Sequence, residues 1–281
     1  MAVKKDEMTI NIVSYIFVMV MVILTMYPIF YTVLGSFKTN AELTAGGHIF
    51  PKAWQFQNYV TAFVKGNFAR YTMNSVSVSL LAMVVATLTA AMAGFIFARR
   101  SFVGKKLLMA LYVSMLFVAL GSVTLYPMYY LLAFFKLNKS MAGLVLALVG
   151  GQASNVLLVM GFTQSIPREL DEAATIDGCS LYGIFFRIVL PLLKPIMAVV
   201  ALFSFRSAWN DYITTLILSM ANQRLKTLTV AVVQLKYSAN AAAEWHIMLA
   251  GASIAIIPIL IVYFFTNKQF IGGLTAGAVK G

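Results

Sequence analysis

Residues 166–178 read Ile-Pro-Arg-Glu-Leu-Asp-Glu-Ala-Ala-Thr-Ile-Asp-Gly, and residues 179–191 read Cys-Ser-Leu-Tyr-Gly-Ile-Phe-Phe-Arg-Ile-Val-Leu-Pro. The spacing predicts two short helices with a turn between them. Pro167 suits a first helical turn, where a missing N–H is no loss, and Glu169 and Asp171 complement the positive helix end. Leu170, Ala173, Ala174 and Asp177 fall at i, i+3, i+4 and i+7 and so share a face. Gly178 ends the helix, because glycine enters the left-handed conformation freely. Ser180 is placed to cap the second helix, whose Leu181, Ile184, Phe185 and Ile188 again share a face. Pro191 and Pro195 punctuate the entry to the apolar stretch beyond. On periodicity alone this is an amphipathic loop, residues 165–194, of the kind that packs beneath a membrane.

The flanks explain why a membrane is in question. The chain has 281 residues, 61% of them apolar and 11% charged, with a mean hydropathy of +0.86. That charge fraction is roughly half that of average soluble proteins, too small to supply a polar shell. The composition excludes an ordinary soluble domain, a disordered chain and a disulfide scaffold, and predicts an all-α polytopic membrane protein. A scan for runs of about 20 apolar residues predicts six transmembrane helices. They are Thr9 to Leu34, Tyr71 to Ala98, Leu107 to Leu132, Met141 to Gln164, Pro195 to Leu218 and His246 to Asn267. The first is long and has no A-x-A-like cleavage site behind it, so it is read as a retained span rather than a signal peptide. No repeat or linker divides the chain, and residues 1–281 are read as a single transmembrane domain. In the second span Ala82, Ala86, Ala90 and Gly94 recur every four residues, a small-residue face suited to close helix contact in lipid.

The net charge of +12 would suggest nucleic acid in a soluble protein; here it reads as basic flanks that orient helices and touch anionic headgroups. Four positive residues between Arg99 and Lys106 favour the cytoplasm for that link, which places both termini there too. The opposite side also carries many lysines and arginines, so charge alone sets the orientation weakly. Cys179, the single cysteine, has no partner for an internal disulfide or a thiolate metal site.

Catalytic chemistry is missing from the sequence. There is no H-E-x-x-H, no G-x-S-x-G and no metal-ligand cluster, and Gly104-Lys105-Lys106 is not a phosphate-binding loop. If the protein does energised work, another chain must hydrolyse the nucleotide. Within the spans only Arg206 and Asp211 are clearly ionisable, about 18 Å and 25 Å beyond Lys194 at helical rise. Arg206, Trp209, Asn210 and Asp211 are candidates for a solute pathway, an aromatic and an amide suiting the CH faces and hydroxyls of a polar solute. The alternative is structural: Trp209 packs between helices, and Asp211 reaches water or Arg206. Arg206 would also suit an acidic solute.

The loop resembles the permease subunits of bacterial ABC importers. Their motif reads E-A-A, three residues, G, nine residues, I, one residue, L-P. It is matched here by Glu172, Ala173, Ala174, Gly178, Ile188, Leu190 and Pro191 with every spacing kept. Ser36-Phe37-Lys38, Asn58-Tyr59, Asn74-Ser75, Trp209-Asn210-Asp211 and the tail Gly273 to Gly281 look like the carbohydrate branch, in particular the maltose-type permease without a large outer domain.

The resemblance implies a type I ABC importer permease fold in the bacterial inner membrane with both termini cytoplasmic. Glu172, Ala173, Ala174, Asp177, Gly178, Leu190 and Pro191 would form the coupling element that sits on a cytoplasmic ATPase. Implied partners are a second permease subunit, two ATPase subunits, an extracytoplasmic solute-binding protein and a sugar. The ATPase would use ATP and Mg, and this chain would bind no cofactor. The glycine-rich tail, residues 268–281, reads as extended backbone; Thr275, Gly277 and Lys280 are candidates for the ATPase interface, the alternative being a frayed terminus. The competing functions are an ABC permease for a non-sugar solute and an ion-coupled secondary carrier. The carrier would call for more intramembrane acids and often an internal repeat.

Overall fold

Apolar runs become helices here, two of which continue through an internal proline, Pro28 and Pro258. The structure, a computed structural model, describes residues 2–118, 121–236 and 243–278. Its described elements are all helical. Contacts divide the chain into two compact units, residues 1–69 with 231–257 and residues 70–230 with 258–281.

Three predicted spans are unbroken helices, Ala2–Gly35, Phe68–Arg99 and Trp245–Ala278. Their stretches Asn11–Gly35, Phe68–Arg99 and Trp245–Phe264 are long and apolar enough to cross a membrane. The other three predicted spans are not continuous helices. Leu107 to Leu132 divides into Lys105–Phe117, a 3-10 turn Gly121–Thr124 and Leu125–Phe134. Gly121 has φ +54°, a left-handed conformation that no α-helix contains. Met141 to Gln164 divides into Met141–Val149 and Ala153–Gln164, bent by 60° across Gly150-Gly151-Gln152. Pro195 to Leu218 divides into Lys194–Asn210 and Ile213–Ala221. Two bent pairs, Met141–Val149 with Ala153–Gln164 and Leu181–Leu192 with Lys194–Asn210, are together long and apolar enough to cross; counting each as one span gives up to five crossings among the described residues. The last helix also corrects the tail: residues 268–278 are helical rather than extended, and Lys280 lies outside the described residues.

In the first unit the long helix Ala2–Gly35 is exposed along its apolar stretch, as lipid or partner contact requires. At its end Asn58 donates to the carbonyls of Ser36 and Lys38 at 2.8 and 2.9 Å. Tyr59 shares a 2.7 Å hydroxyl bond with Ser36, and Phe37 packs its ring against Trp54, Phe56 and Tyr59. The Ser36-Phe37-Lys38 and Asn58-Tyr59 motifs are thus one clasp. Buried Lys38 donates to the carbonyl of His48. The short helix Asn40–Ala45 opens with a capping box between Thr39 and Glu42. Bonds from the Thr39 and Lys52 backbone N–H groups hold the Glu42 carboxyl below its usual range. Asn40 then ties this segment to Ala243 and Trp245.

In the second unit the small-residue face of Phe68–Arg99 is buried along its length. Ala82 and Ala86 pack with Val145, Val149 and Ala208, and Ala90 with Val156, Val159 and Val200. At Gly94 an added Cβ would lie 2.8 Å from two Val159 side-chain atoms and 2.9 Å from the Met160 backbone nitrogen. Gly94→Ala gains about 1 kcal/mol of helix propensity, but the overpacking costs about 1–3 kcal/mol. We expect a net loss, read as a lower midpoint of thermal unfolding in detergent; an unchanged or raised midpoint would refute the contact. Asn74 and Ser75 clasp the other end of this unit. Asn74 donates to the carbonyls of Arg224 and Lys226 at 2.8 Å each, and Ser75 accepts from the N–H of Leu228 at 2.8 Å.

Candidate functional site

The loop between the bent pair and the next span is built as two helical pieces. The first is Glu169–Ile176, with Glu169, Asp171 and Glu172 in its first turn, where acidic groups meet the positive end of the helix. It closes at Gly178, which has φ +79°. The Gly178 N–H donates to Thr175 at 3.1 Å and the Cys179 N–H to Ala174 at 2.9 Å, satisfying carbonyls that a helix end would leave open. Ser180 accepts from the Gly183 N–H at 3.3 Å, as its capping position predicts. The second piece begins at Leu181 and widens to a π-helix over Ile184–Val189 before Leu190–Leu192. Pro191 has no N–H for the carbonyl four residues back, so a wide turn ahead of it is reasonable chemistry. Ile184, Phe185 and Val189 anchor this piece in the core beside Phe95 and Val199. It meets Lys194–Asn210 at 80°.

The buried side of Glu169–Ile176 is narrow. Ala174 is buried and Asp171 largely so, whereas Leu170, Ala173 and Asp177 are exposed. The reason lies on another helix. Arg99, at the end of Phe68–Arg99, brings its Nε within 2.9 Å of Asp171 Oδ2, the side chains 5% and 19% exposed. Arg99 also donates to the carbonyl of Ile166 at 2.8 Å. The contact with Asp171 is an ion pair rather than an aligned hydrogen bond, since Arg99 Nε and Asp171 Oδ1 complete none. A buried guanidinium selects the face that offers it a carboxylate, and the hydrophobic periodicity gives way. Glu172 stands in a cleft of about 250 Å³ beside this pair, together with Arg100, Arg168 and Thr175. Leu190 is half-buried and Pro191 exposed.

The outward surface left by this arrangement is Glu169, Leu170, Glu172, Ala173, Ile176 and Asp177. Ile176 is 87% exposed, an apolar side chain set among carboxylates. The back of the helix is fixed and its front is bare.

The pathway candidates separate. Trp209 is buried, stacks on Phe205 at 5.8 Å and has its carbonyl bonded by the Thr229 hydroxyl at 2.7 Å. Asp211 accepts from the N–H and hydroxyl of Thr215 at 2.8 and 3.0 Å, capping the helix that starts after the break. These two take the structural reading. Arg206 and Asn210 are exposed, and no ion pair joins Arg206 to Asp211. Arg206 instead lines a cleft of about 290 Å³ with Gln152, Ser154, Asn155, Ser204 and Ser207. Sequence reasoning missed Arg99 as the partner of Asp171, and it missed these amides and hydroxyls. The one available signal for them was the polar run that follows Gly150-Gly151 inside an apolar stretch. Of the tail, Thr275 and Gly277 fall in the last helix.

Comparison with known proteins places this geometry. A family model described as "Binding-protein-dependent transport system inner membrane component" matches residues 87–270. The arabinooligosaccharides transport system permease protein AraQ of Bacillus subtilis is 30% identical over 272 residues, covering 95% of this chain and 94% of the relative. The maltodextrin transport system permease protein MdxG of the same organism is 31% identical over 274 residues, covering 96% of each. Among solved structures, a chain of a bacterial ABC transporter that imports the acidic polysaccharide alginate superposes with a TM-score of 0.78. The match has 19% identity and covers 94% of this chain and 98% of that one. At that identity the likeness carries the fold.

Proposed function

Because this chain belongs to the family of binding-protein-dependent transport system inner membrane components, we propose that it is the membrane-spanning subunit of an ATP-driven oligosaccharide importer. Family membership makes it a multi-pass membrane subunit that works with a solute-binding protein and an ATPase. The names of its relatives support an oligosaccharide cargo. Our finer reading pairs it with a second permease subunit and two cytoplasmic ATPase subunits. ATP and Mg act at those subunits, and both termini of this chain face the cytoplasm.

The observation that carries the coupling role is the bare front of Glu169–Ile176. Exposed Leu170 and Ile176 among Glu169, Glu172 and Asp177 suit a cleft on a partner with an apolar floor and a basic rim. Ala173 lets that partner approach closely. The ion pair behind the helix and the anchored Ile184 and Phe185 make it a rigid lever. Closure of the ATPase pair would displace this lever and tilt the attached spans, and the pathway would switch from inward-facing to outward-facing. Coupling then consists of the ATPase and the loaded binding protein favouring the same state.

Purification in mild detergent with identification of the co-purifying chains tests this reading. We expect an ATPase and a second permease, and ATP hydrolysis stimulated by oligosaccharide together with the binding protein. Recovery as a lone chain that drives solute uptake from a proton gradient would overturn it.

A further inference from the structure

The cleft at Arg206 is unused by the coupling role, and its chemistry is specific. Resting on the oligosaccharide reading above, we propose that it is a subsite for an acidic sugar unit, with the sugar carboxylate against Arg206. Arg206 is exposed, and no protein carboxylate pairs with it among the described ion pairs. Asp211, the nearby acid of the same segment, is held by Thr215. An arginine within an apolar span is costly unless an anion or water meets it. Its planar fork matches a carboxylate through two parallel bonds, which a neutral hydroxyl cannot reproduce.

The rest of the lining fits a sugar ring. The cleft lies at the 60° break between Met141–Val149 and Ala153–Gln164, where Gly151 and Gln152 line it. Gln152 Nε2 donates to Thr89 Oγ1 at 2.6 Å, which fixes the amide. Its Oε1 is enclosed and accepts no hydrogen bond within the chain. Asn155 is positioned by its 3.2 Å bond to Ser204. Ala82 and Ala86 leave room on one side, and Phe203 offers an apolar wall. A volume of about 290 Å³ is at the small end of ligand pockets and suits a single sugar unit of a longer chain.

The test measures substrate-stimulated ATPase activity of the intact transporter with its own binding protein. It uses a panel of hexuronate disaccharides and their neutral hexose counterparts. We expect uronates to act at lower concentrations than neutral sugars, and Arg206→Gln to reduce that preference by about tenfold or more, the scale of a charge-assisted bond. Arg206→Lys should restore part of it. The same binding protein serves both transporters, so its own selectivity cancels in the comparison, and co-purification of the partner chains verifies assembly of the variant. An equal preference in wild type and Arg206→Gln would overturn the subsite while leaving the oligosaccharide reading standing. Stimulation of the wild type by a non-sugar solute and by no saccharide would overturn both.

Discussion

A Gly178→Pro variant is expected to reach the membrane and lose all solute-stimulated ATP hydrolysis and uptake. Gly178 sits at φ +79°, and proline holds φ near −65°, so the turn cannot form as it stands. The variant also removes the N–H that bonds Thr175, and the altered path breaks the bond from Cys179 to Ala174. Both bonds close the end of Glu169–Ile176, so the lever frays where it joins the core-anchored piece beginning at Leu181. Nothing lies within 4 Å of an added Cβ at Gly178. A Gly178→Ala variant therefore meets only the backbone cost of a left-handed L-residue, about 1–2 kcal/mol, and should retain part of the activity. The effect of proline is conformational and local, so insertion and the unfolding midpoint of the spans should change little. Glu172→Lys with Ala173→Asp attacks the front of the helix instead, and should block ATPase assembly with the turn intact. Normal uptake by Gly178→Pro would remove the loop from the coupling path.

Arg99→Ala should be the most destabilising single change at the loop. It leaves Asp171, 19% exposed, facing a space from which its counter-charge has gone. Losing one partner of a buried pair costs roughly 3–5 kcal/mol. The residual exposure of Asp171 favours the lower end, and loss of the bond to Ile166 adds to the effect. The loop helix should detach, detectable as new proteolytic cleavage between residues 165 and 180 and as ATP hydrolysis that no longer responds to solute. Asp171→Ala in the Arg99→Ala background should recover part of the stability, because the double change removes both charges together. A double-mutant cycle measures this directly. Strictly additive costs would show that the ion pair does not hold the helix.

The local rules of the chain were legible in its residues. Apolar runs marked the membrane helices, Gly178 and Ser180 marked the turn and cap of the loop, and the Ala82-Ala86-Ala90-Gly94 face marked a close helix contact. Each depends on a few neighbouring residues, which is the range over which backbone sterics and hydrogen bonds act. The breaks were only half visible: Gly150-Gly151 and Gly121 could be read as interruptions, but not the 60° bend at the first of them. Facing was not legible. A helix apolar on all sides, as Ala2–Gly35 is, carries no hydrophobic signal for which side meets protein. On Glu169–Ile176 the spacing grouped Leu170, Ala173, Ala174 and Asp177 on one side without saying which of them meets protein. Asp171 turns inward because Arg99, carried there by a different span, needs its charge balanced, and Gln152 meets Thr89 for a similar reason of proximity. Residue spacing determined that this chain is a series of membrane helices with a capped helical loop. The tertiary structure decided which face of that loop is held and which is left bare, because a buried charge outweighs a short amphipathic pattern.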